Sequence, residues 1–277
     1  MQSGLCTLTH SSVHPSACID PSAEIHPSAE IGPYVTVGRQ SRIGAGTKIA
    51  AHAVIGDYTL IGPDCRIYSH AVVGSPSQDL KHEEDAVSWL EIGARNRIRE
   101  FVTVNRATAD GACTRLGDNN LLMAYAHVAH DCELGSQIVL ANHATLGGHV
   151  QLEDEVVVGA MSGIHQFVRL GRLSMIGAMS RICHDVPPFM LANGSPARVY
   201  GLNTVGLRRA GLTPETRQLL KQAYQLLYRR SQSLSQAIFA MQALPEATEI
   251  QHLLTFLERS QRGLLGPERQ LLHTFFK

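Results

Sequence analysis

An aliphatic side chain returns at every sixth residue over most of this chain, and few architectures can satisfy that period. The register holds without a miss through eleven positions, from Val13, Ile19 and Ile25 to Val73, then resumes at Ile92 and continues to Ile182, with Asp110 as its misfit and Pro187-Pro188 at its end. Two residues before each of these rungs sits a mostly small side chain, such as Ala17, Ala23, Ala29, Ser41 or Thr47. That offset places both side chains on one face of a short strand. Thirteen rungs are followed directly by Gly, for instance Gly32, Gly38, Gly135 and Gly147, as expected at corners that cannot take a Cβ. Strand and corner alternating at six residues make a solenoid, which closes most simply as a triangle of about 18 residues per coil, with coils ~4.8 Å apart. So narrow a prism admits Ile, Val, Leu and small residues. This accounts for a chain that is 44% hydrophobic yet only 5% aromatic, with 24 Gly in 277 residues.

Two interruptions carry information. Val73 and Ile92 stand one position further apart than a full coil, so a loop containing SPSQDLKHEEDAV leaves the prism; a second irregular stretch, ATADGACT, surrounds Asp110. Long loops on a rigid scaffold commonly carry function. After residue 200 the period changes to that of helices. Thr213-Pro214-Glu215 is a helix start followed by Leu219, Leu220, Ala223 and Leu226, with further helices expected over about 232–243, 246–260 and 267–276. The expected organisation is a solenoid domain over 1–200, with external loops near 76–90 and 106–115, and an α-helical domain over 201–277. The formal net charge of zero conceals a division: residues 1–200 hold 14 basic and 19 acidic residues, the remainder 10 and 5. Nothing here resembles the basic excess of a general nucleic-acid binder. No apolar run approaches the ~20 residues of a membrane span, and the first residues lack a secretory pattern. Six cysteines without a CxxC pair fit reduced thiols, so a cytoplasmic enzyme or binding protein is expected.

Fourteen histidines are many for this length, and five of them, His127, His130, His143, His149 and His165, crowd into one short stretch of the solenoid. At about 18 residues per coil, His130 projects onto 148 and 166, so His149 and the His165-Gln166 pair lie one and two coils further along the same edge, whereas His143 lies off it. None occupies an inward rung. A row of imidazoles beside Asp131 suits proton transfer, because imidazole titrates near neutral pH and a carboxylate can orient it. Solvated surface histidines and a zinc site remain alternatives; the spacing does not reproduce the arrangement of solenoid carbonic anhydrases, in which two of three ligands come from a short interval. Cys65 and Cys132 sit at the small inward position, which disfavours a cysteine nucleophile.

The segments NLLMAYAHVAHDC (120–132), ANHATLGGHV (141–150), IHQF (164–167), SQDLKH (77–82), IGARNRIRE (92–100) and DVPPF (185–189) resemble the hexapeptide-repeat O-acyltransferases that act on UDP-N-acetylglucosamine and open lipid A synthesis. The resemblance covers essentially the whole chain. It implies a left-handed parallel β-helix followed by a helical domain, assembled as a homotrimer with active sites between subunits. It further implies transfer of a (3R)-3-hydroxyacyl chain from acyl carrier protein to the sugar 3-hydroxyl, without a metal or other cofactor. By the same resemblance His130 is the general base, Asp131 its partner, and the Gly148 N–H the oxyanion donor. Asp79, Lys81, His127, His149, His165, Gln166, Asn203 and Arg209 contact substrate, and Ala178 limits acyl length. Val205, Ala210 and Pro196 depart from the family pattern at nucleotide-contacting positions. Two other readings remain open: an N-acyltransferase using a 3-amino sugar, which usually carries an extra N-terminal domain, and a metal-binding or scaffold solenoid.

Overall fold

The computed structural model describes residues 12–230 and 233–267. Its solenoid is a triangular prism of three parallel sheets. Sheet I begins with Ser12–Val13, Glu30–Ile31 and Lys48–Ile49, sheet II with Cys18–Ile19, Thr36–Val37 and Val54–Ile55, and sheet III with Glu24–Ile25, Arg42–Ile43 and Thr59–Ile61. Each strand pairs with the strand three places later, as in Glu30↔Lys48 and Ile31↔Ile49, which is the 18-residue coil expected from the repeat. From Ile31 onward the aliphatic rungs are buried, as are the side chains two residues earlier, including Ala29, Val35, Ser41, Thr47 and Cys65. Ser41 and Thr47 are tolerated inside because their hydroxyls donate to the carbonyls of Gly56 and Gly62 on the next coil, at 2.7 and 2.8 Å.

The corners divide their demands between two positions. Apart from Gly74 (φ 92°), the glycines that follow a rung do not supply a left-handed conformation. They allow close stacking instead: a Cβ on Gly32 would lie 3.0 Å from Ala51 N and Ile49 O of the following coil. The positive φ falls two residues later, on non-glycine residues such as Tyr34 (57°), His52 (62°), Asp131 (58°) and His149 (59°). Each edge of the prism therefore carries a column of residues in one repeated left-handed geometry.

Strand register also resolves the interruptions. Arg66 pairs with Arg97, a separation of 31 against the regular 18, so the first insertion is thirteen long and not one. Thr103 pairs with His127, a separation of 24 against 18, so a further six are added; Asp110 lies in this insertion and is not a rung, which is why the phase survives it. Both insertions leave from the corner between sheets II and III on successive coils, after Val72–Ser75 and after Thr103–Asn105. Val87 N–H donates to Asp110 Oδ1 at 2.8 Å and Gly111 N–H to Val87 O at 2.8 Å, tying the loops together.

Sheet I ends in an antiparallel hairpin, Met190–Gly194 with Ala197–Leu202, that the repeat did not foretell. Four α-helices follow among the described residues: α1 Thr204–Arg209, α2 Pro214–Gln225, α3 Leu234–Gln242 and α4 Thr248–Glu258. Thr213 caps α2 as expected, its side chain accepting from Thr216 N–H, and Leu226–Arg230 prolong α2 as a π-helical turn. The helix expected over about 267–276 lies, Pro267 apart, outside the described residues. Leu207, Leu220, Ala223, Leu253 and Leu257 form a second core that closes on Leu173 and Phe189 of the solenoid. No described helix is long and apolar enough to cross a membrane.

Candidate active site

The two loops fold over the stretch of the sheet II–III edge that follows them, where His130 and Asp131 form the next corner. Asp131 takes the left-handed position and its N–H donates to Thr114 Oγ1 at 2.8 Å, which turns its carboxylate back toward the neighbouring imidazole. His130 Nδ1 lies 2.8 Å from Asp131 Oδ2, and the two side chains are only 12% and 13% exposed. An ionised carboxylate can only accept, so Nδ1 carries the proton of this bond, and in the neutral imidazole Nε2 keeps its lone pair. Asp79 Oδ2, from the first loop, stands 4.0 Å from that Nε2. The Lys81 N–H donates to Asp79 Oδ1 at 2.9 Å and holds this carboxyl below its usual range.

One coil on, Gly148 occupies the place equivalent to His130. A Cβ there would lie 2.6 Å from His130 Nε2 and 3.1 Å from Nδ1, so the imidazole needs glycine beneath it. His149 lies edge-on to His130 with centroids 5.3 Å apart, its Nε2 3.8 Å from Asp131 Oδ2, and Phe167 stacks on its far face at 4.5 Å. A cavity of about 520 Å³ opens beside them, lined by Asp79, Lys81, Thr108, Asp131, His149 and Gln166 among others. His127 projects from the strand before His130, its Nδ1 2.7 Å from Thr103 Oγ1. Burial lowers its pKa and favours the neutral ring, and a positive charge arising on His130 would act in the same direction.

Other residues singled out from the sequence are not gathered here. His165 is exposed and faces Arg262 Nη2 at 3.2 Å. Asn203 caps α1, accepting from Gly206 N–H and donating to Leu173 O at 2.9 Å. Arg209 is exposed in the last turn of α1, and Ala178 is exposed on the sheet I–II edge. Cys132 is buried, and burial pushes its thiol to about 12, which removes it as a nucleophile at neutral pH. Ligand atoms of His130, Asp131 and His149 lie within 4.8 Å of one another and form the one described group that could hold a metal. Sequence reasoning missed Thr103, Thr108, Thr114 and Phe167. Phe167 could have been found one coil beyond His149 and Thr114 one coil before Cys132, but Thr103 and Thr108 are displaced by the second insertion, which no period encodes.

Two family models match: "Udp N-acetylglucosamine O-acyltransferase; Domain 2" over residues 185–265, and the bacterial transferase hexapeptide repeats over 22–57 and 113–148. The chain is 46% identical over 204 residues to the acyl-[acyl-carrier-protein]--UDP-N-acetylglucosamine O-acyltransferase of Synechocystis sp., covering 73% of this chain and 74% of that one. The protein of the same name from Burkholderia mallei is 44% identical over 206 residues, covering 72% and 78%. The crystal structure of UDP-N-acetylglucosamine O-acyltransferase from Moraxella catarrhalis superposes with a TM-score of 0.89 at 42% identity, over 92% of this chain and 99% of that one. That of the Francisella novicida UDP-N-acetylglucosamine acyltransferase gives 0.90 at 34% identity, over 93% and 95%. The prism is thus the left-handed parallel β-helix implied by the hexapeptide motifs, and its loops and helical tail are matched along with it. On identity and coverage together, the chain belongs to the UDP-N-acetylglucosamine O-acyltransferase family.

Proposed function

We propose that the protein transfers a (3R)-3-hydroxyacyl chain from acyl carrier protein to the 3-hydroxyl of UDP-N-acetylglucosamine, the first step of lipid A biosynthesis, with His130 as general base. The observation that carries this reading is the 2.8 Å contact of His130 Nδ1 with Asp131, which in the neutral imidazole directs the proton to Nδ1 and the Nε2 lone pair to the space above Gly148. In this scheme Nε2 removes the proton from the sugar hydroxyl as its oxygen attacks the thioester carbonyl. The imidazolium so formed is stabilised by Asp131 and by the Asp79 carboxylate 4.0 Å away. The Gly148 N–H has no protein acceptor among the described residues and is the donor for the tetrahedral oxyanion. Collapse of the intermediate breaks the C–S bond, and the proton held by His130 passes to the departing thiol of the carrier.

Lys81 supplies a point charge for the pyrophosphate, while His127, His149 and Gln166 line the sugar's approach. Asn203, Arg209, His165 and Ala178 fit the reading if a second subunit closes the cavity in a homotrimer. A reacting centre on the outside of a prism needs that second wall to exclude water. The sheet I–II edge offers a suitable surface, with Phe101, Tyr125, Met161 and Met179 exposed beside Ala178. The methyl of Ala178 would then set a medium acyl length. The reaction needs no metal or other cofactor beyond the carrier's own thioester, and the reading makes the enzyme cytoplasmic, because both substrates are made there. Mass-spectrometric detection of product from hydroxyacyl carrier protein and either UDP-N-acetylglucosamine or its 3-amino analogue tests the reading. O-acylated product that disappears in His130→Ala is expected; normal turnover by that variant overturns it.

A further inference from the structure

Thr108, in the six-residue insertion, spends every polar atom on the site. Its N–H donates to Asp131 Oδ2 at 3.1 Å, its carbonyl accepts from His82 Nδ1 at 2.9 Å, and its hydroxyl oxygen lies 2.9 Å from His130 Nδ1 and 2.8 Å from Ser77 Oγ. Three separate stretches of chain meet at this one residue: the first loop through Ser77 and His82, the second loop, and the His130–Asp131 corner. Ser77 is itself anchored, accepting the Asp79 N–H at 3.1 Å.

We infer that Thr108 is a positioning residue for the proton transfer, acting through His130 and Asp131 and not on substrate; the inference rests on the assignment of His130 as base. The hydrogen-bond directions are determined by the chemistry of the atoms. Nδ1 has a single proton to give, and Asp131 Oδ2 and Thr108 Oγ1 stand at nearly equal distances from it, so the bond is three-centred. The Thr108 hydroxyl proton is then free for Ser77 Oγ. Without the hydroxyl the ring could pivot about its contact with Asp131, because a single hydrogen bond fixes direction but not rotation, and Nε2 would leave its position over Gly148. The threonine amide meanwhile holds Asp131 Oδ2 from the opposite side, so acid and base are aligned by two atoms of one residue.

The test compares Thr108→Val, which keeps the amide and nearly the same shape, with Thr108→Ser, which restores the hydroxyl. Loss of one positioning hydrogen bond predicts about a tenfold fall in kcat for Thr108→Val. The KM for the sugar nucleotide should change by less than about twofold and the melting temperature should be retained, because no substrate contact or core packing is removed. Thr108→Ser should recover at least half of the wild-type kcat. The inference is overturned if Thr108→Val turns over normally, if its loss falls on KM, or if Thr108→Ser is as slow as Thr108→Val. His130→Ala, assayed in parallel, separates the two claims. If it abolishes transfer while Thr108→Val does not slow it, only the positioning role fails; if His130→Ala is active, the base assignment fails first.

Discussion

Two edges of the same prism repeat one backbone geometry and differ in what they present. Along the sheet I–II edge the left-handed positions hold Tyr34, His52, His70, Phe101, Tyr125 and His143, whose rings stack face to face at 4.8–5.1 Å, followed by Met161 and Met179. Along the sheet II–III edge the same positions hold Asp131, His149 and Phe167, and two insertions emerge just before them. Histidine occurs on both edges. On the first it is an element of an aromatic stack; on the second its partners are a carboxylate and the loop residue Thr108. A histidine at a solenoid corner is therefore not in itself a catalytic signal. The acid in the left-handed slot, the histidine one residue before it and the loops that cover them convert the same kind of corner into a site.

The sharpest way to break this contrast is to remove one histidine from each edge. His130→Ala should lower transfer by ~10²–10⁴-fold at unchanged melting temperature. His52→Ala, lacking a carboxylate partner, should leave kcat within about twofold. Gly148→Ala ranks next. Its Cβ cannot share space with the His130 ring, and a displacement of ~1 Å predicts a loss on the order of 10²-fold in kcat. On the aromatic edge the expected effect is on assembly. If this edge forms the proposed trimer contact, Tyr125→Glu should shift sedimentation from trimer toward monomer and lower activity roughly in proportion, because an unpaired carboxylate in such a contact costs several kcal/mol. An unaltered trimer with Tyr125→Glu would remove this edge from the interface.

Smaller effects concern the joint between prism and helices. His252 Nε2 of α4 lies 2.7 Å from Glu153 Oε2, which also accepts from Arg172 N–H at 2.7 Å. Burial raises the pKa of Glu153, but the His252 and Arg172 hydrogen bonds and the charges of His252 and Arg169 outweigh it, and the net shift is downward. A depressed carboxyl contributes stability that is present above its unfolded pKa and is lost as pH falls through the folded value. Glu153→Gln should therefore melt ~2–4 °C below wild type at pH 7, with the difference closing as the pH falls through the ordinary glutamate range and below it. A gap that persisted in acid would locate the effect in packing instead of charge. Least of all, reversing Arg229 and Arg230 in the basic tail should raise the KM for the acidic carrier protein by about two- to threefold at low salt and not at high salt. No change at either salt concentration would make them simply solvated.

How much of this could be read beforehand varies with the kind of constraint. The inward rungs, the length of the coil and the alignment of His130, position 148 and Gln166 follow from a strict period. The Thr213 cap is a local signal of the same directness. The size of the first insertion was misjudged because the rung-to-rung distance can be one coil plus a single position or one side plus thirteen, and only strand pairing distinguishes them. Asp110 is a misfit in the repeat, yet it is one of the residues that tie one loop to the other. The terminal hairpin and α1 lie beyond the end of the period, and the stacked aromatic edge was overlooked because the insertions hide its spacing.

The sequence by itself determined the prism, since a six-residue hydrophobic repeat has one economical closure and imposes it on every coil. It also determined which residues share an edge. Only the tertiary structure decided that Thr108 and Asp79 meet His130, with Ser77 behind Thr108, because their placement depends on how two irregular loops pack over a corner they do not resemble. It likewise left Asn203, Arg209 and Ala178 away from that corner within one chain. Periodic contacts are repeated many times along a chain and leave a trace in its spelling; contacts between loops are made once and leave none.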